Sequence, residues 1–459
     1  MTWRDLKGRA VLLDFFTPGC INCIHMVPVE DQLEQRFGTR LVILGIDAPK
    51  FTNSGTVSGL KDFLTVHQVR HPVVLDNHQL IWAAWHAVAW PTLVLVGPKG
   101  KALGRFLGEQ TVGDLAAPIA AALADAPSAS ALLPLPLKPL AMTMTGLDAP
   151  GGIAVSGDRV AISDTGHNRV ILATTGGRVV AVIGKGCAGG RDGDYATVEF
   201  ARPHGLDFHD GKLYVADTAA QKVRVIDLKT HRVSTLAGNG EREYRPYGAY
   251  NAMKAPLNSP WDVQWVANKL YVSMAGDHDI WRYDPTTGKF GPWAGNGREG
   301  LRDGSLQDAE FAQPSGLYAK GGTLYDADPE SSSIRAVATR DGSVQTLIGQ
   351  GLFQFGLRNG PAAQALLQHA EGLVGLRDSL YIADTFNNAV RRLDLKTDVV
   401  STVAKNLPHP QAIAALSPTQ VLVTESGGDR VDRIDLSSGK VSPWPLKGLS
   451  AATCVRRGH

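Results

Sequence analysis

The sequence predicts two domains of different class: an α/β unit over residues 1–124 and a six-bladed all-β propeller over residues 140–459, joined by an Ala/Pro-rich linker at 125–139. Three observations carry that expectation. Apolar strand-like runs alternate with helical stretches through the first 124 residues, and the pair Cys20-Ile21-Asn22-Cys23 stands directly behind the first of those runs. Beyond residue 140 the chain repeats, with openings of the form Pro-x-Gly-hydrophobic spaced 53, 57, 54, 56 and 40 residues apart. At 459 residues the chain is also too long for one ordinary core.

In the first domain, residues 11–16 (Val-Leu-Leu-Asp-Phe-Phe) suit a buried strand, which Thr17-Pro18-Gly19 ends. A helix follows over 20–37 and stops at Gly38. A strand at 41–47, a helix at 56–67, an extended piece at 72–75 and a helix at 79–86 come next. Strands at 92–96 and 103–107 and an Ala-rich helix at 112–124 complete the order of an α/β sheet covered by helices. Pro28 falls inside the first helix and is expected to kink it. Two cysteines three apart at a helix start are the layout of a thiol–disulfide site. The helix N-terminus offers partial positive charge and free amides that stabilise a thiolate on Cys20, and Cys23, one turn on, can resolve a mixed disulfide. Half of a zinc site is the alternative. It needs a second ligand pair, and the other cysteines, Cys187 and Cys454, stand alone and far apart as bystander thiols. No metal is expected, and no cofactor beyond a redox-active Cys20–Cys23 disulfide.

Asp14, six residues before Cys20, sits mid-strand between Leu13 and Phe15. A carboxylate is costly to bury, so its pKa should rise, and it becomes a candidate proton acceptor for Cys23. An Asp facing water at a strand edge is the plainer alternative. Trp90-Pro91 precedes a strand and is a candidate cis peptide. With these residues placed, 1–124 resembles a thioredoxin-fold domain: Asp14, the CxxC, Pro28 five after the second cysteine and Pro91 match that family position by position. The resemblance implies that Pro91 lies beside the cysteines and shapes a substrate groove with Trp90, Gly19, Ile21 and Asn22. Gly19 stands where that family has Trp, and Ile21-Asn22 where it has Gly-Pro, with Trp90 as a substitute aromatic surface. Cys20 is expected to be the exposed nucleophile and Cys23 the inward resolving thiol.

The repeat openings are Pro150-Gly151-Gly152-Ile153, Pro203-His204-Gly205-Leu206, Pro260-Trp261-Asp262-Val263, Pro314-Ser315-Gly316-Leu317, Ala370-Glu371-Gly372-Leu373 and Pro410-Gln411-Ala412-Ile413. Each leads to an apolar strand ending near an acid in most copies, clearest at 213–217 and 380–384, and then to third and fourth strands. Four short strands in each of six copies argue for a six-bladed propeller. A strand around 138–143 is expected to complete a terminal blade. The recurring Asp164, Asp217, Asp328 and Asp384 could hold a metal over the channel. A residue that recurs with a turn is more simply that turn's hydrogen-bond acceptor. Arg169, Arg224, Arg335 and Arg391 read as partners of those acids; Met274 and Glu425 replace the Asp in two copies. Asp192 and Asp303 belong to Arg-Asp-Gly turns, and His204 and His278 lack spaced companions for a metal site.

The Ala-Asp-Thr and Asn-x-x-Val-Arg signatures, best at 163–170, 216–224 and 383–391, resemble NHL repeats. A thioredoxin-like domain followed by six such repeats resembles the NHL-repeat-containing protein 2 family, which implies an architecture more than a reaction. The residues favour a thiol–disulfide oxidoreductase acting on a protein thiol or disulfide, with a propeller that recruits or selects a protein partner. The alternatives are a non-catalytic scaffold or redox sensor, and a metal-dependent hydrolase or lyase in the propeller channel. Long inter-blade loops at 184–202, 238–259, 295–313 and 349–369 share a face with the turns between second and third strands. There Tyr244, Tyr247, Arg298 and Phe353 are expected to meet a protein partner or steer one toward Cys20.

A formal net charge of +2, with no block of like charges, gives no reason to expect nucleic-acid binding. No apolar stretch reaches membrane-spanning length, and the run at 10–16, interrupted by Asp14, reads as a strand and not as a signal sequence. Four cysteines in 459 residues fit a reducing compartment, so a cytoplasmic protein is expected.

Overall fold

The computed structural model describes residues 2–132, 134–135, 146–244, 248–340 and 342–454. The chain divides at 142/143 into two units. The first contains β1 (Ala10–Phe16), α1 (Ile21–Phe37), β2 (Leu41–Asp47), α2 (Val57–His67), β3 (Val73–Leu75), α3 (Leu80–Ala84), β4 (Thr92–Val96), β5 (Ala102–Leu107) and α4 (Val112–Ala122). Its sheet runs β3-β2-β1-β4-β5, with β1 parallel to β2 and antiparallel to β4. Every residue of β1 and β2 is buried, because helices cover the sheet, and both strands therefore read as mostly apolar runs, broken by Asp14 in β1 and ended by Asp47 in β2. Alternation along β1 divides its side chains between two cores. Ala10 and Leu12 pack with Met26, Leu33 and Leu115, whereas Val11, Leu13 and Phe15 pack with Ile46 and Trp82. α1 continues helical through Pro28 to Phe37.

The second unit is a propeller of six four-stranded blades, each made of consecutive strands. The first strands are Gly152–Ser156, Pro203–His209, Pro260–Val266, Leu317–Lys320, Ala370–Leu376 and Pro410–Ser417. Four of the six openings carry a glycine at their third position, and it has a steric reason. A Cβ on Gly152 would stand 2.1 Å from the His204 carbonyl oxygen, and one on Gly316 or Gly372 would stand 2.4 Å from the carbonyl oxygen of Glu371 or Gln411. At these glycines the neighbouring first strand approaches too closely for a side chain, whereas Asp262 and Ala412 occupy the position in the third and sixth blades. Blades two to five gain a two-residue fifth strand from the preceding loop, at Gly193–Asp194, Tyr250–Asn251, Gly304–Ser305 and Gly360–Pro361.

The repeated acids accept loop amides. Asp217 Oδ1 accepts from Ala201 N at 2.7 Å, Asp384 Oδ1 from Gln368 N at 2.7 Å, and Asp328 from the amides of Ala312 and Gln313 at 2.8 and 2.6 Å. Buried arginines complete the arrangement: Arg224 Nη1 donates to Asp217 at 2.6 Å and Arg391 Nη1 to Asp384 at 2.8 Å. Each guanidinium also reaches the loop before its blade, where Asp192, Asp303 and Asn359 accept from Arg224, Arg335 and Arg391 at 2.9, 3.1 and 2.7 Å. The Arg-Asp-Gly turns are therefore part of the clasp.

The ring closes through its C-terminal segment. Trp444 Nε1 donates to Thr175 O at 3.0 Å, Lys447 exchanges backbone bonds with Gly177 and Val179, and Cys454 N donates to Lys185 O at 3.1 Å. This segment lies along the outer strand of the first blade, Val179–Ile183, and ends in a Cys187–Cys454 disulfide with Cα atoms 5.2 Å apart. The reading of these two cysteines as bystander thiols fails: they are 267 residues apart in sequence, and ring closure brings them together. The closing strand expected at 138–143 lies outside the described residues.

Candidate functional site

β1 delivers the chain to the turn Thr17-Pro18-Gly19, where Gly19 has φ of 90°, a left-handed conformation that a β-carbon would strain. The turn makes Cys20 the N-cap of α1, not its first helical residue. Cys20 Sγ accepts from Cys23 N at 3.3 Å, and the two Sγ atoms lie 2.8 Å apart as free thiols. The helix thus presents an amide to the first sulfur, as charge stabilisation requires. The expected exposure of Cys20 is corrected: it is 7% exposed, against 2% for Cys23. Phe16, Leu60 and Phe63 pack on the pair, with Ile24, Val73 and Trp90 alongside, and this apolar shell covers the nucleophile position.

The Trp90–Pro91 peptide is cis. Trp90 donates from Nε1 to Ala48 O at 2.9 Å and packs against Trp82 with ring centroids 4.7 Å apart. Pro91 is buried and its carbonyl accepts from Gly108 N at 2.9 Å. Ile21 is buried, while Gly19 and Asn22 are half-buried. Cys20, Cys23 and Trp90 thus belong to one cluster.

Asp14 is buried, and burial pushes its carboxyl up to about 7 against an opposing hydrogen bond with Glu30. Burial also raises the Cys23 thiol well above its ordinary value, reinforced by Cys20 and by the Asp14 charge. Glu30, 1% exposed, is raised first by burial and then by Asp14. His71, lowered to about 4 by burial, stands with Nδ1 3.9 Å from Glu30 Oε2. Sequence reasoning missed Glu30, although a signal was present: positions 23, 26 and 30 fall on one helical stripe, and its other members are buried. Also missed was buried His25, whose Nδ1 lies 2.7 Å from Glu109 Oε1 in the loop after β5.

On the propeller, Tyr244 and Phe353 are 62% and 66% exposed, and Arg298 is exposed. Tyr244 Oη donates to Gly297 O at 3.0 Å, which links two inter-blade loops. Tyr247 lies outside the described residues. Among the described residues no group of three or more His, Cys, Asp or Glu side chains is arranged to hold a metal ion. Among the same residues no helix is long and apolar enough to cross a membrane.

No protein-family model matches the chain. It is 35% identical, over 98% of its length, to Protein SUPPRESSOR OF QUENCHING 1, chloroplastic, of Arabidopsis thaliana, and covers 47% of that protein. It is 33% identical, over 97% of its length, to NHL repeat-containing protein 2 of Bos taurus, and covers 69% of it. Over 24% of the chain it is 29% identical to thiol-disulfide oxidoreductase ResA of Bacillus anthracis, covering 60% of that protein. The chain spans about half the length of the Arabidopsis relative and just under two thirds of NHL repeat-containing protein 2 of Homo sapiens and Gallus gallus.

Proposed function

The chain belongs to the NHL repeat-containing protein 2 family, and from that premise we propose that it is a thiol–disulfide oxidoreductase whose propeller recruits a protein partner. The observation that carries this reading is the free thiol pair, 2.8 Å apart, at the N-terminus of α1. A thioredoxin-like fold for the first unit is part of the proposal. Its sheet order, the cis Trp90–Pro91 bond, the position of Asp14 and the likeness to ResA support it.

In the reducing direction, the Cys20 thiolate attacks one sulfur of a substrate disulfide, the S–S bond breaks, and one substrate thiolate leaves and takes a proton. The Cys23 thiol then gives its proton to the Asp14 carboxylate and attacks Cys20 Sγ. The second substrate thiol departs, the substrate has gained two electrons, and Cys20–Cys23 is a disulfide. An external dithiol restores the pair; the oxidising direction is the reverse.

The test is trapping. A Cys23→Ser variant should accumulate mixed disulfides through Cys20, visible on non-reducing gels, and a Cys20→Ser variant should not. The opposite pattern reverses the roles, and no trapping by either sinks the enzyme reading. The burial of Cys20 favours a second reading, a redox sensor or scaffold with little turnover. Cytoplasmic residence is proposed with a condition. Cytosolic thiols are kept reduced, so the Cys187–Cys454 bridge would have to survive glutathione there. Alkylating the protein before lysis and mapping both cysteines decides it: blocked thiols fit the cytosol, an intact bridge fits an oxidising compartment.

A further inference from the structure

The mouth of the propeller channel differs chemically from the rest of the ring. The first strands of all six blades line a cavity of about 400 Å³, and Gly151, His204, Trp261, Glu371 and Gln411, each following the opening residue of its repeat, are in its wall. One side is aromatic: the His204 ring stacks on Trp261 with centroids 4.2 Å apart. Two blades on from Trp261, Glu371 Oε1 stands 3.4 Å from Gln411 Nε2 and 3.5 Å from His369 Nε2. His204 is 6% exposed, and its Nδ1, beside Gly151, has no hydrogen-bond partner.

Three buried acids elsewhere in this propeller provide an internal comparison. Asp164, Asp217 and Asp384 each hold an arginine within 2.8 Å. Among the described residues the channel wall has three carboxyls, Asp207, Asp262 and Glu371, and no Lys or Arg. Asp207 and Asp262 have a structural duty, since they accept backbone amides of Trp265, Val263 and Leu317. Among the described residues the Glu371 carboxylate accepts no backbone amide and no arginine, and burial pushes it up to about 8. A carboxylate and an amide oxygen in the wall of a cavity that an aromatic plane also lines form a recognition set for a nitrogen cation on an aliphatic stem. The cation takes the oxygens, and the methylenes lie on the ring.

We propose that the channel mouth is a binding site for an amine or guanidinium cation, held by Glu371 and Gln411 and seated against Trp261. The cation is either a free diamine or the side chain of a Lys or Arg on a protein partner. The site is independent of the dithiol, so its failure would leave the oxidoreductase reading standing.

Calorimetric titration of the full chain at pH 9, where Glu371 is charged, tests it with three probes: cadaverine, acetyl-Gly-Lys-Gly-amide and the neutral norleucine analogue of that peptide. At least one cationic probe should bind saturably at one site, and the norleucine peptide should not. Glu371→Gln and Trp261→Ala should each weaken that binding at least about tenfold, with melting temperatures recorded so that a misfolded variant is set aside in favour of the other. Binding by cadaverine alone identifies a free amine as the source, and binding by the lysine peptide identifies a protein side chain. No saturable binding by either cation, equal binding by the norleucine peptide, or unchanged binding in folded variants overturns the site.

Discussion

Asp14 shows how one residue's burial becomes a pH dependence. Its folded pKa is raised from an ordinary 3.8 to about 7, so folding favours the neutral form. The stability it contributes is fully present below the unfolded value and is lost as pH rises toward 7. Asp14→Asn should therefore gain thermal stability relative to the parent between pH 4 and pH 7, and level off above that. Melting curves across this range check the sign. In stopped-flow thiol exchange, the parent's resolution step should accelerate as pH passes 7, while the Asn variant lacks that inflection and keeps its first attack. Equal slowing of both steps would confine Asp14 to folding. Asp14, Cys20 and Cys23 were legible in the sequence because each obeys a local rule of spacing or patterning. Glu30 was not, because an acid in a helix reads as solvent-facing until its phase is tracked against Cys23 and Met26. The burial of Cys20 comes from Leu60 and Phe63 on another helix, a contact that no local pattern encodes.

At the scale of the element, the blades show two solutions to one packing problem. Blades two and five bury an Asp–Arg pair, Asp217–Arg224 and Asp384–Arg391. The third blade has Met274 and Trp281 at the corresponding places, both fully buried in an apolar cluster. Removing one partner of a buried ion pair strands the other charge, whereas replacing both with apolar groups can be nearly neutral. Arg391→Met should then cost about 3–5 kcal/mol in denaturant unfolding. The double variant Asp384→Met with Arg391→Trp should recover a substantial part of that loss. A double variant no more stable than the single one would show that the loop amides, and not the charge, set the cost. The acids and arginines were visible as repeats, but their register was not. Arg169 lies five residues after Asp164, while Arg224 and Arg391 lie seven after their acids, so the same pair is built from different strand positions.

For the propeller as a whole, six blades were readable from the spacing of the openings, and the means of closure was not. Each blade is made of consecutive strands, and the segment at 444–454 with its disulfide joins the last to the first. A bridge spanning 267 residues restricts the unfolded chain strongly; the loop-entropy model gives an upper value of about 5.6 kcal/mol. Cys454→Ser should lower the propeller's melting temperature, and added dithiothreitol should lower the parent's but not the variant's. A parent insensitive to reductant would show that the bridge adds nothing to the backbone bonds around it. The closure also has a consequence for synthesis on the ribosome. Cys187 emerges long before its partner, and at about 5–20 residues per second it waits on the order of ten to fifty seconds for Cys454. Within this sequence Cys20 and Cys23 precede Cys187, so throughout that interval the nascent chain carries its own wrong partners for Cys187 before the right one exists.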